Sequence, residues 1–173
     1  MNTLDDFATF YTPALDRARA AFAWTGGHAD AFLDTNEPFR RQVLDLVLPN
    51  LGAAPIELVR DLYDAETAWA EQAWCVQAET ARALAEELLT RGGPEFVEDF
   101  LQGKFRGMDA AGAAYFECPR ELAQRLLAEV DRRLAEGAEG PHRTRLEAGR
   151  DVFRWWTESA PPGWHLVHDT GIE

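Results

Sequence analysis

The stretch IELVRDLYDAETAWAEQAWCVQAETARALAEELL, residues 56–89, contains neither proline nor glycine. Apolar side chains recur along it at the spacing of an α-helix, which predicts that one face packs against a core. Pro55 precedes the stretch and two glycines follow it at residues 92 and 93, as is typical of helix starts and ends. We therefore predict that residues 55–91 form the longest helix of the chain, or two helices with a kink near Asp64.

The rest of the chain has the pattern of shorter helices separated by proline and glycine. The clearest begins at Pro119, where leucine or valine recurs every four residues from Leu122 to Leu134. β-Branched residues are sparse and no long run alternates, so strands are not expected. We predict an all-α fold, a single domain over residues 1–173, with five to seven helices around the 55–91 helix. Residues 158–173 are a candidate extended tail.

The chain has 173 residues and a formal net charge of −13. This charge repels nucleic acids and anionic membranes, and the arginines lie among acids without forming a basic patch. We therefore expect neither direct nucleic-acid binding nor membrane binding, and the charge favours a basic protein as partner. The alternative is that the acidity serves only solubility.

The residue usage also bears on the origin and location of the chain. Lys104 is the only lysine among many arginines, and alanine is abundant, a bias typical of GC-rich bacterial genomes. The N-terminal residues lack the layout of a signal peptide, and no apolar run is long enough to span a membrane. These features predict a bacterial protein in the cytoplasm.

The sequence contains no motif for nucleotide binding, serine hydrolysis or metalloprotease chemistry. His165, His168 and Asp169 look like a metal trio, but they follow PPGW in a segment that is not expected to be helical. In an extended chain residues three apart point to opposite faces, which disfavours shared metal binding. We expect no catalytic residue, no cofactor and no metal site.

Two cysteines, Cys75 and Cys118, are too few and too far apart for a disulfide framework. Cys118 precedes Pro119 at a predicted helix start, where a lowered thiol pKa would make it reactive. The alternative is that a small residue simply fits this turn.

Glu66 is the one carboxylate that falls within the apolar face of the 56–89 stretch. Gln77 lies eleven residues further on, which is close to a whole number of helical turns, and Thr80 is nearby. A buried carboxylate needs a partner, and we predict an arginine from another helix or the hydroxyl of Tyr11. The residues then form either a structural ion pair or, alternatively, a small-ligand or enzymatic pocket.

The opposite face of the same stretch carries acids that fall within about 80° of one another on a helical wheel. They are Glu57, Asp61, Asp64, Glu71, Glu79 and Glu86. Like charges four residues apart on a helix slightly destabilise it. The row therefore indicates a function for this face, such as docking a basic surface. A solvated face without function is the alternative.

The predicted function is accordingly an acidic helical protein-binding module. By charge alone it suits an inhibitor, an immunity protein or a nucleic-acid mimic. A ligand-binding or enzymatic domain around Glu66 and a structural homodimer with exposed tryptophans are the alternatives.

Overall fold

The computed structural model describes residues 3–28, 31–73 and 77–159. In chain order its α-helices are α1 (Leu4–Thr9), α2 (Pro13–Ala20), α3 (Glu37–Val47), α4 (Ile56–Ala73), α5 (Ala78–Gly92), α6 (Val97–Lys104), α7 (Met108–Ala113), α8 (Arg120–Ala135) and α9 (Gly140–Ser159). Short 3-10 helices cover Leu48–Ala53 and Gly93–Phe96. Within these ranges β-structure is limited to one bridge between Trp24 and Asp34. The predicted all-α class is confirmed, with more helices than the five to seven expected.

Local sequence sets several of the helix boundaries. Thr3 caps α1: its hydroxyl accepts from the Asp6 amide at 3.1 Å, and the Asp6 carboxylate accepts from the Thr3 amide at 3.0 Å. Pro13 occupies the first turn of α2, where the absent N–H costs nothing. Gly93, with a φ of 68°, adopts the left-handed conformation that ends α5.

The described part of residues 55–91 forms two helices, so of the two predicted alternatives the single continuous helix was wrong. α4 ends at Ala73, α5 begins at Ala78, and Gln77 has the non-helical angles φ −82° and ψ 86°. The described break therefore lies at Gln77 and not near Asp64, and the longest helix within the described ranges is α9. A continuous helix of this length would extend about 55 Å, well beyond the width of a small domain. Breaking the chain allows the apolar faces of α4 and α5 to pack against each other.

α4 occupies the centre of the fold and contacts α2, α5, α6 and α7. Its buried face includes Leu58, Leu62 and Tyr63, and the Tyr63 hydroxyl donates to the carbonyl of Phe100 on α6 at 3.1 Å. These side chains belong to a buried cluster that draws residues from all of these α-helices except α7. α4 therefore provides the central packing surface of the fold.

The C-terminal part is a helical hairpin, since α8 and α9 pack along their length and a short loop joins them. α9 lies close to α6 at Gly149, where a Cβ atom would come within 2.4 Å of a Leu101 methyl carbon. A larger residue at position 149 would push these helices apart.

Some predictions concern residues at or beyond the end of the described chain. Residues 158 and 159 belong to α9, so the part of the predicted extended tail that the structure describes is helical. The remainder of that tail, including His165, His168 and Asp169, lies outside the described residues, as does Cys75. In the described part of the chain no helix is both long and apolar enough to cross a membrane.

Candidate functional site

Glu66 is buried and paired with arginines, as the sequence predicted. Only 3% of its side chain is exposed, and its two carboxylate oxygens have different partners. Oε1 accepts from Arg40 Nε at 2.8 Å, and Oε2 lies 3.2 Å from Arg41 Nη1. Both arginines come from α3. Because both oxygens are engaged, this carboxylate has the geometry of a structural ion pair.

Arg40 joins Glu66 to a second buried carboxylate. The arginine side chain is fully buried, and its Nη2 donates to Asp34 Oδ2 at 2.7 Å. The other oxygen of Asp34 accepts from the backbone amides of Ala23 and Asn36 at 2.9 and 3.1 Å. One arginine therefore fixes the connection between α2 and α3 onto α4.

Sequence reasoning missed Arg40, although a signal was present. Arg40 precedes Val43, Leu44 and Val47 at the i+3, i+4 and i+7 spacing that defines the buried face of α3. An arginine within an apolar face has to meet buried carboxylates, because an unpaired buried charge is too costly. An arginine in the apolar face of α3 and a glutamate in the apolar face of the 56–89 stretch together indicate the ion pair between Arg40 and Glu66.

Gln77 and Thr80 do not join Glu66 along one helical face. Gln77 is exposed and lies between α4 and α5, and Thr80 is half-buried on α5. The predicted alignment required a helix that continues through Gln77, whose backbone angles are not helical. The residues of the predicted ligand site therefore lie on different elements.

Asp61 was predicted in the acidic row, but it is the centre of a second buried ionic cluster. Its side chain accepts from Tyr11 Oη at 2.6 Å, from Arg17 Nη2 at 2.8 Å and from Arg60 Nε at 2.8 Å. Burial alone would raise the pKa of the Asp61 carboxyl group. The hydrogen bonds that Arg17, Arg60 and Tyr11 donate to the carboxylate outweigh this effect, so the pKa of Asp61 is lowered. Tyr11, suggested as a partner for Glu66, thus serves Asp61 and holds the N-terminal residues against α4.

The other acids of the predicted row do not form one solvent-facing ridge. Asp64 and Glu71 are exposed on α4 and lie near Arg106, with Asp64 in direct contact with its guanidinium. Glu57 is half-buried. Glu79 and Glu86 are exposed on α5, and neither forms an ion pair with the residues that the structure describes. Of the six acids in the predicted row, only Glu79 and Glu86 are exposed and unpaired among the described residues, as the prediction required.

Cys118 has the properties of a packing residue and not of a nucleophile. It is 8% exposed, and burial raises the pKa of its thiol to about 12. At neutral pH the group is therefore a thiol and not the reactive thiolate.

Lys104 is also buried, and desolvation lowers the pKa of its amine. Its Nζ donates to the carbonyl of Ala111 in the last turn of α7, at 2.7 Å. This contact satisfies one of the carbonyls that a helix end leaves unpaired. The amine therefore has a structural role at that helix end.

The described residues contain no group of three histidine, cysteine, aspartate or glutamate side chains arranged to hold a metal ion. Their buried carboxylates are held by arginines. The geometry therefore supports ionic clusters that fix helices together and leaves the exposed acids as the groups free to meet a partner.

Comparison of the chain with protein-family models, with curated proteins and with solved structures finds no match.

Proposed function

We propose that this chain is an acidic helical protein-binding module whose partner presents a basic surface. The observation that carries the proposal is the division between paired and unpaired charges. Of the 17 basic side chains in the chain, ten form ion pairs within the described residues. They are Arg17, Arg40, Arg41, Arg60, Arg91, Arg106, Arg132, Arg133, Arg143 and Arg154. Most of the positive charge is thus neutralised internally.

Many acids, in contrast, are exposed and form no ion pair with the described residues. They include Asp5, Asp45, Glu79, Glu86, Glu95, Asp109, Glu117, Asp131, Glu139 and Glu158. Glu79 and Glu86 are seven residues apart on α5 and therefore share a face. This face is the part of the predicted acidic row that remains available, and we place the partner contact there.

A surface of this kind acts first on the rate of association. Exposed negative charges attract a basic protein over a distance of about 8 Å at physiological ionic strength. Charges at the rim of an interface mainly raise the association rate, and the effect weakens as salt screens them. Inhibitors, immunity proteins and nucleic-acid mimics are the classes of binding protein that this charge suits.

The test starts with capture of partners from the host lysate at low salt, followed by binding kinetics with the purified partner. Glu79→Gln/Glu86→Gln removes two charges from the proposed face. Asp131→Asn/Glu139→Gln removes two exposed, unpaired charges from the α8–α9 hairpin and is the matched control. We expect the first variant to associate several-fold more slowly at low salt, since steering depends on local charge, and the control to retain the wild-type rate.

Equal association rates and equal salt dependence for wild type and the α5 variant would contradict the proposed contact face. If every captured protein were acidic or uncharged, the basic-partner proposal itself would be wrong. The two results separate the location of the contact from the nature of the partner.

A helical homodimer is a second candidate, favoured by an exposed aromatic pair. Trp155 is 50% exposed, and its ring centre lies 5.7 Å from that of Tyr115, which is also exposed. Partly exposed tryptophan and tyrosine are common at the centres of protein interfaces. A solution mass equal to the 19.4 kDa chain would exclude this alternative.

A further inference from the structure

A small cleft lies between α6 and α9, away from the buried ionic clusters and from α5. It encloses about 250 Å³, including its open mouth. Its lining residues are Glu98, Leu101, Gln102, His142, Arg145 and Leu146. Leu101 and Leu146 are buried, whereas the four polar side chains are half-buried or exposed. The cleft thus combines apolar side chains with several convergent polar groups, a combination typical of ligand sites.

Arg145 has no side-chain ion pair or hydrogen bond with the residues that the structure describes. Its neighbours three and four positions away on α9 are Pro141, His142, Ala148 and Gly149, so its own helix offers no carboxylate. Arg143 differs in this respect, because Glu147 lies one turn further on and accepts from its Nε at 2.8 Å. Among the described residues, Arg145 is therefore a cation in the cleft without a partner.

The acid in the cleft is already engaged. Glu98 Oε1 contacts a guanidinium nitrogen of Arg133 on α8 and lies 3.4 Å from His142 Nε2. Asp64, which lies 3.5 Å from the Gln102 amide, is held by Arg106. The nearby negative charges thus have cationic partners, and Arg145 is left to attract an anion.

The overall charge of −13 does not prevent this local attraction. At physiological ionic strength charges more than about 8 Å away are largely screened, so adjacent groups decide what binds. His142 and Arg145 also lie near the start of α9, where the helix dipole favours negative charge. Both effects point to the same class of ligand.

We propose that this cleft binds a small oxyanion, a carboxylate or phosphate group, with Arg145 as the principal contact. A guanidinium can donate two parallel hydrogen bonds to two oxygens of such a group. One N–H of the Gln102 amide is directed to Asp64 and the second is able to donate, whereas His142 Nε2 faces Glu98. The space within the cleft itself is about 30 Å³, far below the roughly 300–1,000 Å³ of drug-sized sites, so the ligand group is small and lies at the open mouth. This proposal is independent of the proposed partner contact on α5.

The test uses sodium phosphate and sodium acetate in separate titrations, each compared with sodium chloride at equal ionic strength. Backbone and side-chain amide signals are followed by nuclear magnetic resonance. We expect saturable shifts at residues 142–146 and at the Gln102 side chain with at least one oxyanion and not with chloride. The two titrations distinguish a phosphate site from a carboxylate site.

Arg145→Gln should weaken the binding at least about tenfold, since a hydrogen bond between charged groups contributes at least that factor. The matched control is Arg143→Gln. It removes the same charge two residues from Arg145, and the Arg143 side chain lies outside the cleft lining. It should change the dissociation constant less than about twofold, as expected for a surface charge.

The proposal is overturned if neither oxyanion gives saturable shifts above chloride, or if both variants weaken binding equally. Arg145→Gln breaks no ion pair among the described residues, so it should retain the wild-type circular dichroism spectrum. If it does not fold, the position of the wild-type shifts decides the matter, because shifts away from the cleft lining contradict the site.

Discussion

The carboxylates of α4 and α5 belong to one stretch of sequence with a continuous helical pattern of polar and apolar residues. Some on α4 are buried, whereas others on α5 are exposed to solvent. Glu66 and Asp61 on α4 are buried, and each forms ion pairs with more than one arginine. Glu79 and Glu86 on α5 are exposed and have no ion pair among the described residues. The same residue type therefore stabilises the fold on one helix and remains free for a partner on the next.

The difference has a physical origin in how the two environments treat charge. A buried carboxylate loses its hydration, so removing its partner costs several kcal/mol, whereas an exposed one is hydrated and screened. The buried carboxylates of α4 are paired with arginines from distant parts of the chain. These are Arg17 on α2 and Arg40 and Arg41 on α3. On α5 neither Glu79 nor Glu86 forms an ion pair with the described residues, although the exposed Arg82 lies between them on the same face.

The largest effect is expected from Glu66→Ala. The substitution leaves the positive charge of Arg40 with Asp34 alone, so the free energy of unfolding should fall by about 3–5 kcal/mol, the range for breaking a buried ion pair. Urea denaturation at pH 7 measures it. Glu86→Ala on the exposed face is the control and should change stability by less than about 0.5 kcal/mol. Equal small changes in both would remove the contrast between the helices.

A smaller effect is expected from Asp61→Asn. The amide keeps the shape and one acceptor but loses the charge, so the cost should be about 1.5–3 kcal/mol, the contribution of a hydrogen bond to a charged group. Tyr11→Phe removes one donor only and should cost less.

The same variant has a defined pH dependence. The pKa of Asp61 is lowered in the folded state, so its stabilisation is complete above the unfolded pKa of about 4 and is lost as pH falls through the folded value. The difference between wild type and Asp61→Asn should therefore shrink below about pH 4. A difference that stays constant down to pH 2.5 would contradict the assigned ion pairs.

The smallest change in stability is expected from Glu79→Gln/Glu86→Gln. Both side chains are exposed and unpaired in the described structure, so unfolding free energy should change by less than about 0.5 kcal/mol. A loss above about 1 kcal/mol would mean that these acids stabilise the fold. That result would also remove α5 as a surface free for a basic partner.

Part of the site was predictable because the evidence for it is local. Glu66 interrupts an apolar face, and the need of a buried carboxylate for a cation predicted the arginine. The structure confirms the burial and the pairing. The alignment of Glu66 with Gln77 failed because it depended on a helix continuing past Ala73, and neither proline nor glycine marks the break.

The sequence did not predict which residue pairs with each buried charge. Tyr11 and Arg17 meet Asp61 across 50 and 44 residues, and Arg40 meets Glu66 across 26. Helical periodicity identifies which face of an element is apolar, but it does not specify which helices pack together. Asp61 was therefore assigned to the acidic surface, although α2 covers it.

The sequence by itself determined the helical class, several caps such as Thr3 and Gly93, the negative charge and the burial of Glu66. These follow from local propensity, from spacing and from composition, which depend on neighbouring residues alone. Only the tertiary structure decided that the 56–89 stretch breaks, that Asp61 is internal, and that α6 and α9 form a cleft containing Arg145. Each of these depends on which helices pack together, because contact between distant segments determines where charges lose water and where they keep it.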